Sequence, residues 1–154
     1  MSRGYRLRSE ATEQEDVVSW CLHHERMYPE LKWIHHCPNG GSRQKAEASR
    51  LKAQGVKAGV PDLHLPIPKG SYVGLYIEMK YDKGRLEPVQ KEWLTAMAEA
   101  GHFVCVCYGY DYAVKVIEDY VRLCTGQDMG WENVSVMKKR EPYLFKPARK
   151  EINL

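Results

Sequence analysis

The spacing of apolar positions divides the chain into helices and strands. Val17, Val18, Cys21 and Leu22 recur at helical spacing and predict a first helix over residues 10–27. Ser9 is one candidate N-cap; Thr12 with Glu15 as a capping box is the other. Residues 31–37, beyond Pro29, read as a short strand. Pro38-Asn39-Gly40-Gly41 is a turn signal, because Asn and Gly tolerate positive φ. A second helix follows, with Ser42 to cap its start and Gly55 to end it. Its Ala, Lys, Arg and Gln residues favour helix but offer little apolar surface.

Three clearer strands are expected over residues 60–65, 74–81 and 103–108. A helix over residues 88–100 separates the last two, with Pro88 suited to its first position and Gly101 to its C-cap. Val89, Trp93, Ala96 and Ala100 are expected to form its buried stripe, and Gln90, which shares a face with Leu94 and Met97, is also expected to point inward. A final helix is predicted from Asp111, as N-cap, to Cys124, with Ala113, Ile117, Val121 and Cys124 inward. The strand-helix-strand order requires a crossover, so the expected fold is α/β with a mixed sheet flanked by helices.

Length and composition narrow this picture. The 154 residues, 44% of them hydrophobic, suit one domain with a real core. It is assigned to residues 1–125; residues 126–154 form a basic, aromatic extension that is neither a separate domain nor placed in the core. No apolar run approaches the roughly 20 residues needed to span a bilayer. The start, Met-Ser-Arg-Gly-Tyr-Arg, lacks the apolar core of a secretory signal. The expectation is a cytoplasmic protein with no membrane partner. Five cysteines without a C-x-x-C pair suit reduced thiols, several of them buried. A zinc site from His23, His24, His35, His36 and Cys37 is set aside, since adjacent histidine pairs lack the usual ligand spacing.

The net charge of +3 says less than its distribution. Arg43, Lys45, Arg50, Lys52 and Lys57 face only Glu47, a local +4, and residues 138–150 carry a local +5. The remainder is then −6. Such separation suits a face that binds a polyanion.

Alternation along the strands then isolates a chemical face. In Leu75-Tyr76-Ile77-Glu78-Met79-Lys80, the apolar residues take one side and Tyr76, Glu78 and Lys80 the other. In Val60-Pro61-Asp62-Leu63-His64-Leu65, Asp62 and His64 oppose Leu63 and Leu65. If the two strands are neighbours, Asp62 and Glu78 converge across about 4.8 Å. Two carboxylates that close repel unless a cation or proton lies between them. A hard divalent ion, Mg²⁺ or Mn²⁺, meets that need with oxygen ligands. Lys80 can then position or help deprotonate a water, or offset charge on a phosphorane. Gln90 points inward. Glu10 and Gln14 line up with Val17, Val18 and Cys21, so Glu10 can join the carboxylates, and Glu13 replaces it if the helix is rotated.

Pro61-Asp62 followed by Glu78-Met79-Lys80 resembles the signature of the PD-(D/E)XK nuclease superfamily. Four longer segments are more specific: Pro38-Asn39-Gly40-Gly41 with its basic helix, the string G-V-K-A-G-V-P-D ending at Asp62, residues 74–80, and Gln90-Lys91-Glu92-Trp93-Leu94. Together, over roughly residues 9–123, they resemble the stand-alone phage or bacterial type of the VRR-NUC family. The resemblance implies an αβββαβα-like PD-(D/E)XK core and Mg²⁺ or Mn²⁺ dependence. It implies that Asp62, Glu78 and the Met79 backbone carbonyl are metal ligands and that Lys80 is catalytic. Its Glu–Gln helix motif favours Glu10, with Gln14, over Glu13, and Gln90 matches a further site residue. Asn39, Arg43, Lys45, Arg50, Lys52 and Lys57 would hold DNA by its phosphates. The function implied is a structure-specific DNA endonuclease, a homodimer able to resolve four-way (Holliday) junctions in DNA repair. A nuclease for flaps, nicks or less selective cutting, and a non-catalytic DNA-binding module, are the alternatives.

Overall fold

The computed structural model describes residues 7–39, 44–130 and, as backbone, 135–137. Its centre is a five-stranded mixed sheet. The strands are β1 (His35–His36), β2 (Leu63–Leu65), β3 (Leu75–Lys80), β4 (Phe103–Tyr108) and β5 (Ser135–Met137), side by side in that order. β2 runs antiparallel to its neighbours β1 and β3, and β3, β4 and β5 are parallel. The helices are α1 (Glu10–His24), α2 (Lys45–Ala53), α3 (Pro88–Glu99) and α4 (Tyr110–Val121). The expected α/β fold with a mixed sheet flanked by helices is the fold observed, and α3 is the crossover between β3 and β4.

The two faces of the sheet differ. Leu63, Leu65, Leu75, Ile77, Met79, Phe103, Cys105 and Cys107 project into the main core, where α1 and α4 supply Val17, Cys21, Ala113, Val116, Ile117 and Tyr120. The opposite face carries a small apolar cluster of Val104 and Val106 under Leu94 of α3. Beside that cluster the same face is polar. The three core cysteines, Cys21, Cys105 and Cys107, are free thiols, as are Cys37 and Cys124.

Several expected boundaries move, each for a local reason. Ser9 caps α1 through a capping box with Thr12, so the Thr12–Glu15 alternative is not used, and the helix ends at His24 rather than residue 27. Leu22 is 63% exposed, and the buried stripe is Val17 and Cys21. Residues 31–37 are not one strand: Pro29–Trp33 is a 3-10 helix with proline at its start, and only two residues pair with β2. The segment expected over 60–65 shortens to Leu63–Leu65, since Pro61 lacks an N–H for the ladder. The N-cap of α2 is Gln44; Ser42 lies outside the described residues. On α3 the buried residue is Leu94, flanked by Gln90 and Met97, while Val89, Ala96 and Ala100 are exposed. The cap of α4 is Gly109, not Asp111, and Cys124 is exposed beyond its end.

The described residues beyond 125 also take part in the fold. Met129 is buried in the main core, and its N–H donates to the Tyr72 hydroxyl (3.1 Å). Residues 135–137 add the edge strand. The second basic run lies outside the described residues. Among the described residues no helix is long and apolar enough to cross a membrane.

Candidate active site

The register of β2 and β3 builds the site. Leu63 lies opposite Ile77, so one step further along the antiparallel pair Asp62 stands opposite Glu78. Asp62 Oδ2 accepts the Met79 N–H at 2.8 Å, which ties the carboxylate to the neighbouring strand. In a strand the N–H and C=O of one residue point to the same edge. The Met79 carbonyl therefore projects toward Asp62. The Asp62 carbonyl is itself held by the Cys37 N–H (2.9 Å) and lies 2.8 Å from His36 Nδ1, which is 2.9 Å from the Gln14 amide.

Among the described residues, Glu78 is the most enclosed acidic or basic side chain, with 1% of its surface exposed. Its Oε1 accepts from Lys80 Nζ at 2.9 Å and from Gln90 Nε2 at 2.7 Å. Its Oε2 is buried and has no hydrogen-bond partner among the described residues. Gln90 is held in turn by α3, because its Oε1 accepts the Glu87 N–H (2.8 Å) at the helix start. One residue thus closes a capping box and orients a buried carboxylate.

Glu10 and Glu13 part company. Glu10 Oε2 lies 3.9 Å from Lys80 Nζ, at the rim of the carboxylate pair. Glu13 Oε2 accepts the Tyr110 N–H at 2.7 Å, and its Oε1 bonds Arg8. It thereby caps α4, where Gly109 has φ +106 and brings the carboxylate within 3.3 Å of where a Cβ would sit.

The electrostatics follow from this packing. Burial, then repulsion from Asp62, pushes the Glu78 carboxyl up to about 8 despite Lys80. Burial also raises Asp62, against the Met79 N–H, Lys80 and His36, and it raises Glu10. Burial works against the Lys80 charge, but Glu78, Glu10 and Asp62 more than offset it and hold the ammonium above its usual value. A divalent cation fits this donor set. Its attraction would offset the carboxylate repulsion, and the unpartnered Glu78 oxygen offers a ligand atom.

The residues expected to hold DNA are more dispersed. Lys45, Arg50 and Lys52 lie on α2, which buries no residue, and Lys57 is exposed. Arg43 lies outside the described residues. Asn39 donates to the Val60 carbonyl (3.3 Å) and so bears on the loop before Asp62. That loop rests on α3: Trp93 Nε1 donates to the Ala58 carbonyl (3.1 Å), and a Cβ on Gly59 (φ +82) would meet Val89 at 2.7 Å. The G-V-K-A-G-V-P-D string thus docks the segment that presents Asp62 on the helix that carries Gln90.

Two groups were missed by sequence reasoning. Lys83 and Arg85 line a cleft of about 510 Å³ beyond the end of β3, with Tyr81, Tyr108 and Tyr110. Their position, three and five residues after Lys80, was the available signal. His64 is the other. His23 and His24 hydrogen-bond their own helix, but His35 and Cys37 meet His64 across the β1–β2 pair. Burial, with His35 and His102 nearby, lowers His64 to about 4.

The VRR-NUC domain model matches residues 7–111 of the chain. A solved structure described as a VRR_NUC domain protein is 34% identical, with a TM-score of 0.65, over 78% of this chain and 93% of that one. No curated protein matches. The match spans α1, the segment before β2, β3 and α3, which hold Glu10, Asp62, Glu78 and Gln90. The chain therefore belongs to the VRR-NUC family and has the nuclease-type, DNA-processing function of that family.

Proposed function

We propose that the protein is a structure-specific endodeoxyribonuclease that hydrolyses phosphodiester bonds with Mg²⁺ or Mn²⁺, and that four-way junctions are its substrate. The observation that carries the metal-dependent reading is the buried, half-unpartnered Glu78 carboxylate opposite Asp62. Asp62, Glu78 and the Met79 carbonyl would hold the ion, with Glu10 at the rim. When bound, the ion supplies a water of lowered pKa and neutralises charge on a phosphate oxygen. Lys80, kept cationic by three carboxylates, can hold that water or offset charge developing on the phosphate. Gln90 keeps Glu78 in one orientation, so little reorganisation is left for the reaction itself.

DNA as the substrate is supported by what surrounds the site. The exposed cations of α2 and the loop after it suit contacts to phosphates, which position DNA without reading its bases. A two-fold homodimer would present two such sites to a junction of matching near-symmetry.

The test is a panel of labelled four-way junctions, flaps, nicked duplexes and plain duplexes, cut in Mg²⁺ and in EDTA. The expected result is Mg²⁺-dependent cutting of the junction that Asp62→Ala and Lys80→Ala abolish while DNA binding persists. Undiminished cutting by both variants would overturn the active-site assignment. Equal cutting of plain duplex would overturn the junction preference alone.

A further inference from the structure

His35, Cys37 and His64 form a second cluster on the sheet face that carries Asp62 and Glu78. His35 and His64 are register partners across β1 and β2. Cys37 lies two residues after His35, so the two project to the same side. One ligand atom from each of the three lies within 4.8 Å of the others. Tetrahedral zinc, with bonds of about 2.0 Å to nitrogen and 2.3 Å to sulfur, holds its ligand atoms roughly 3.3–3.7 Å apart. Small side-chain rotations close that gap.

The surroundings arrange the two imidazoles as ligands. His35 Nδ1 lies 3.0 Å from the Trp33 carbonyl. Donation to that carbonyl fixes the tautomer and leaves the Nε2 lone pair available, the usual outer arrangement of a metal-binding histidine. His64 is stacked on Tyr76, with ring centroids 4.1 Å apart and planes 5° apart, which sets its orientation. Its Nε2 is buried and has no hydrogen-bond partner among the described residues. Cys37 is anchored by its N–H to the Asp62 carbonyl.

We propose that His35, Cys37 and His64 form a binding site for a thiophilic, borderline transition ion such as Zn²⁺, distinct from the oxygen-ligand site at Asp62 and Glu78. Two imidazoles and a thiolate select ions of this class over Mg²⁺. Three protein ligands leave a fourth position, toward the exposed His35 side, for water. The site clips the two-residue β1 to β2. Because the Cys37 N–H holds the Asp62 carbonyl, the clip also steadies the backbone that presents Asp62. This inference does not depend on the proposed junction cutting or on the ion at Glu78.

The experiment is a Co²⁺ titration of the reduced full-length chain, followed by absorbance, with Zn²⁺ competition and thermal melting. The expected result is one tetrahedral cobalt per chain with a thiolate charge-transfer band that Zn²⁺ displaces. Cys37→Ser should remove that band, and His35→Ala should weaken binding about tenfold or more. Glu78→Gln and excess Mg²⁺ should leave it unchanged. In excess Mg²⁺, which occupies the oxygen-ligand site, Zn²⁺ should raise the melting temperature of the wild type more than that of His35→Ala, whose side chain is exposed and leaves the core intact. Absence of the band in the wild type, or its survival in Cys37→Ser, would overturn the proposal.

Discussion

The two faces of β3 are built by opposite rules. Leu75, Ile77 and Met79 face α1 and α4 and are fully buried among apolar neighbours. Tyr76, Glu78 and Lys80 face α3, and two of these three are buried although their side chains are acidic or basic. The first face draws its stability from removing apolar surface from water, at about 25 cal/mol per Å². The second spends stability, because a buried carboxylate beside another carboxylate is unfavourable until a cation arrives. Six consecutive residues therefore divide the tasks of holding the fold and holding the chemistry. The division is open to direct attack.

The largest effect is expected at Glu78. Glu78→Gln keeps a carbonyl for Lys80 and Gln90 while removing the charge, and cleavage should fall by about 10²–10³-fold or more. Its stability should move the other way. The folded pKa of about 8 lies above the ordinary 4.5 of a glutamate, so folding favours the protonated acid. That contribution is present below about pH 4.5 and is lost as pH rises through about 8. In EDTA, wild type should therefore lose stability relative to Glu78→Gln between about pH 5 and pH 8. Parallel pH–melting profiles for the two proteins would show that the buried charge carries no penalty.

The next effect belongs to the other face. Ile77→Ala, one residue away, should cost about 2–5 kcal/mol in denaturant unfolding, since it opens a cavity between the sheet and its helices. Cleavage per folded molecule should stay near wild type, because the side chain points away from Asp62. A variant that melts normally but cannot cut would break the two-face account.

Alternation makes these faces legible in the sequence itself. The apolar set on β3, the polar faces that carry Asp62 and Glu78, and the inward Gln90 all follow from a period of two or of 3.6; the meeting of the two carboxylates also needs the β2–β3 pairing. Other features depend on contacts far apart in sequence. The start of α4 was misplaced because its N-terminal N–H is capped by Glu13 from another helix, which no local pattern announces. The buried position of α3 is Leu94 and not the Val89–Trp93–Ala96–Ala100 stripe, because Val89 and Trp93 pack a loop rather than the core. His64 stayed hidden as a ligand because strand pairing, not spacing, brings it to His35. The pattern of α1 alone also left Glu10 and Glu13 unresolved, since a small rotation exchanges them.

That last pair gives the smallest and most discriminating effects. Both are first-turn acids of one helix, yet they serve the two sides of the comparison. Glu13 is 8% exposed and caps α4. Glu13→Ala should therefore cost about 1–2 kcal/mol of stability, the scale of a lost helix cap. Its effect on cutting should be minor once the protein is folded. Glu10 sits half-exposed at the rim, 3.9 Å from Lys80. Glu10→Ala should change stability by less than about 0.5 kcal/mol. Cutting should nonetheless fall by roughly 10–100-fold, the scale seen when a supporting group of a metal site is removed. Unfolding curves and single-turnover cleavage on the two variants separate the roles. A Glu13→Ala protein that is stable but inactive, beside a fully active Glu10→Ala, would exchange the two glutamates. The third carboxylate of the site would then lie on the α4 side of α1.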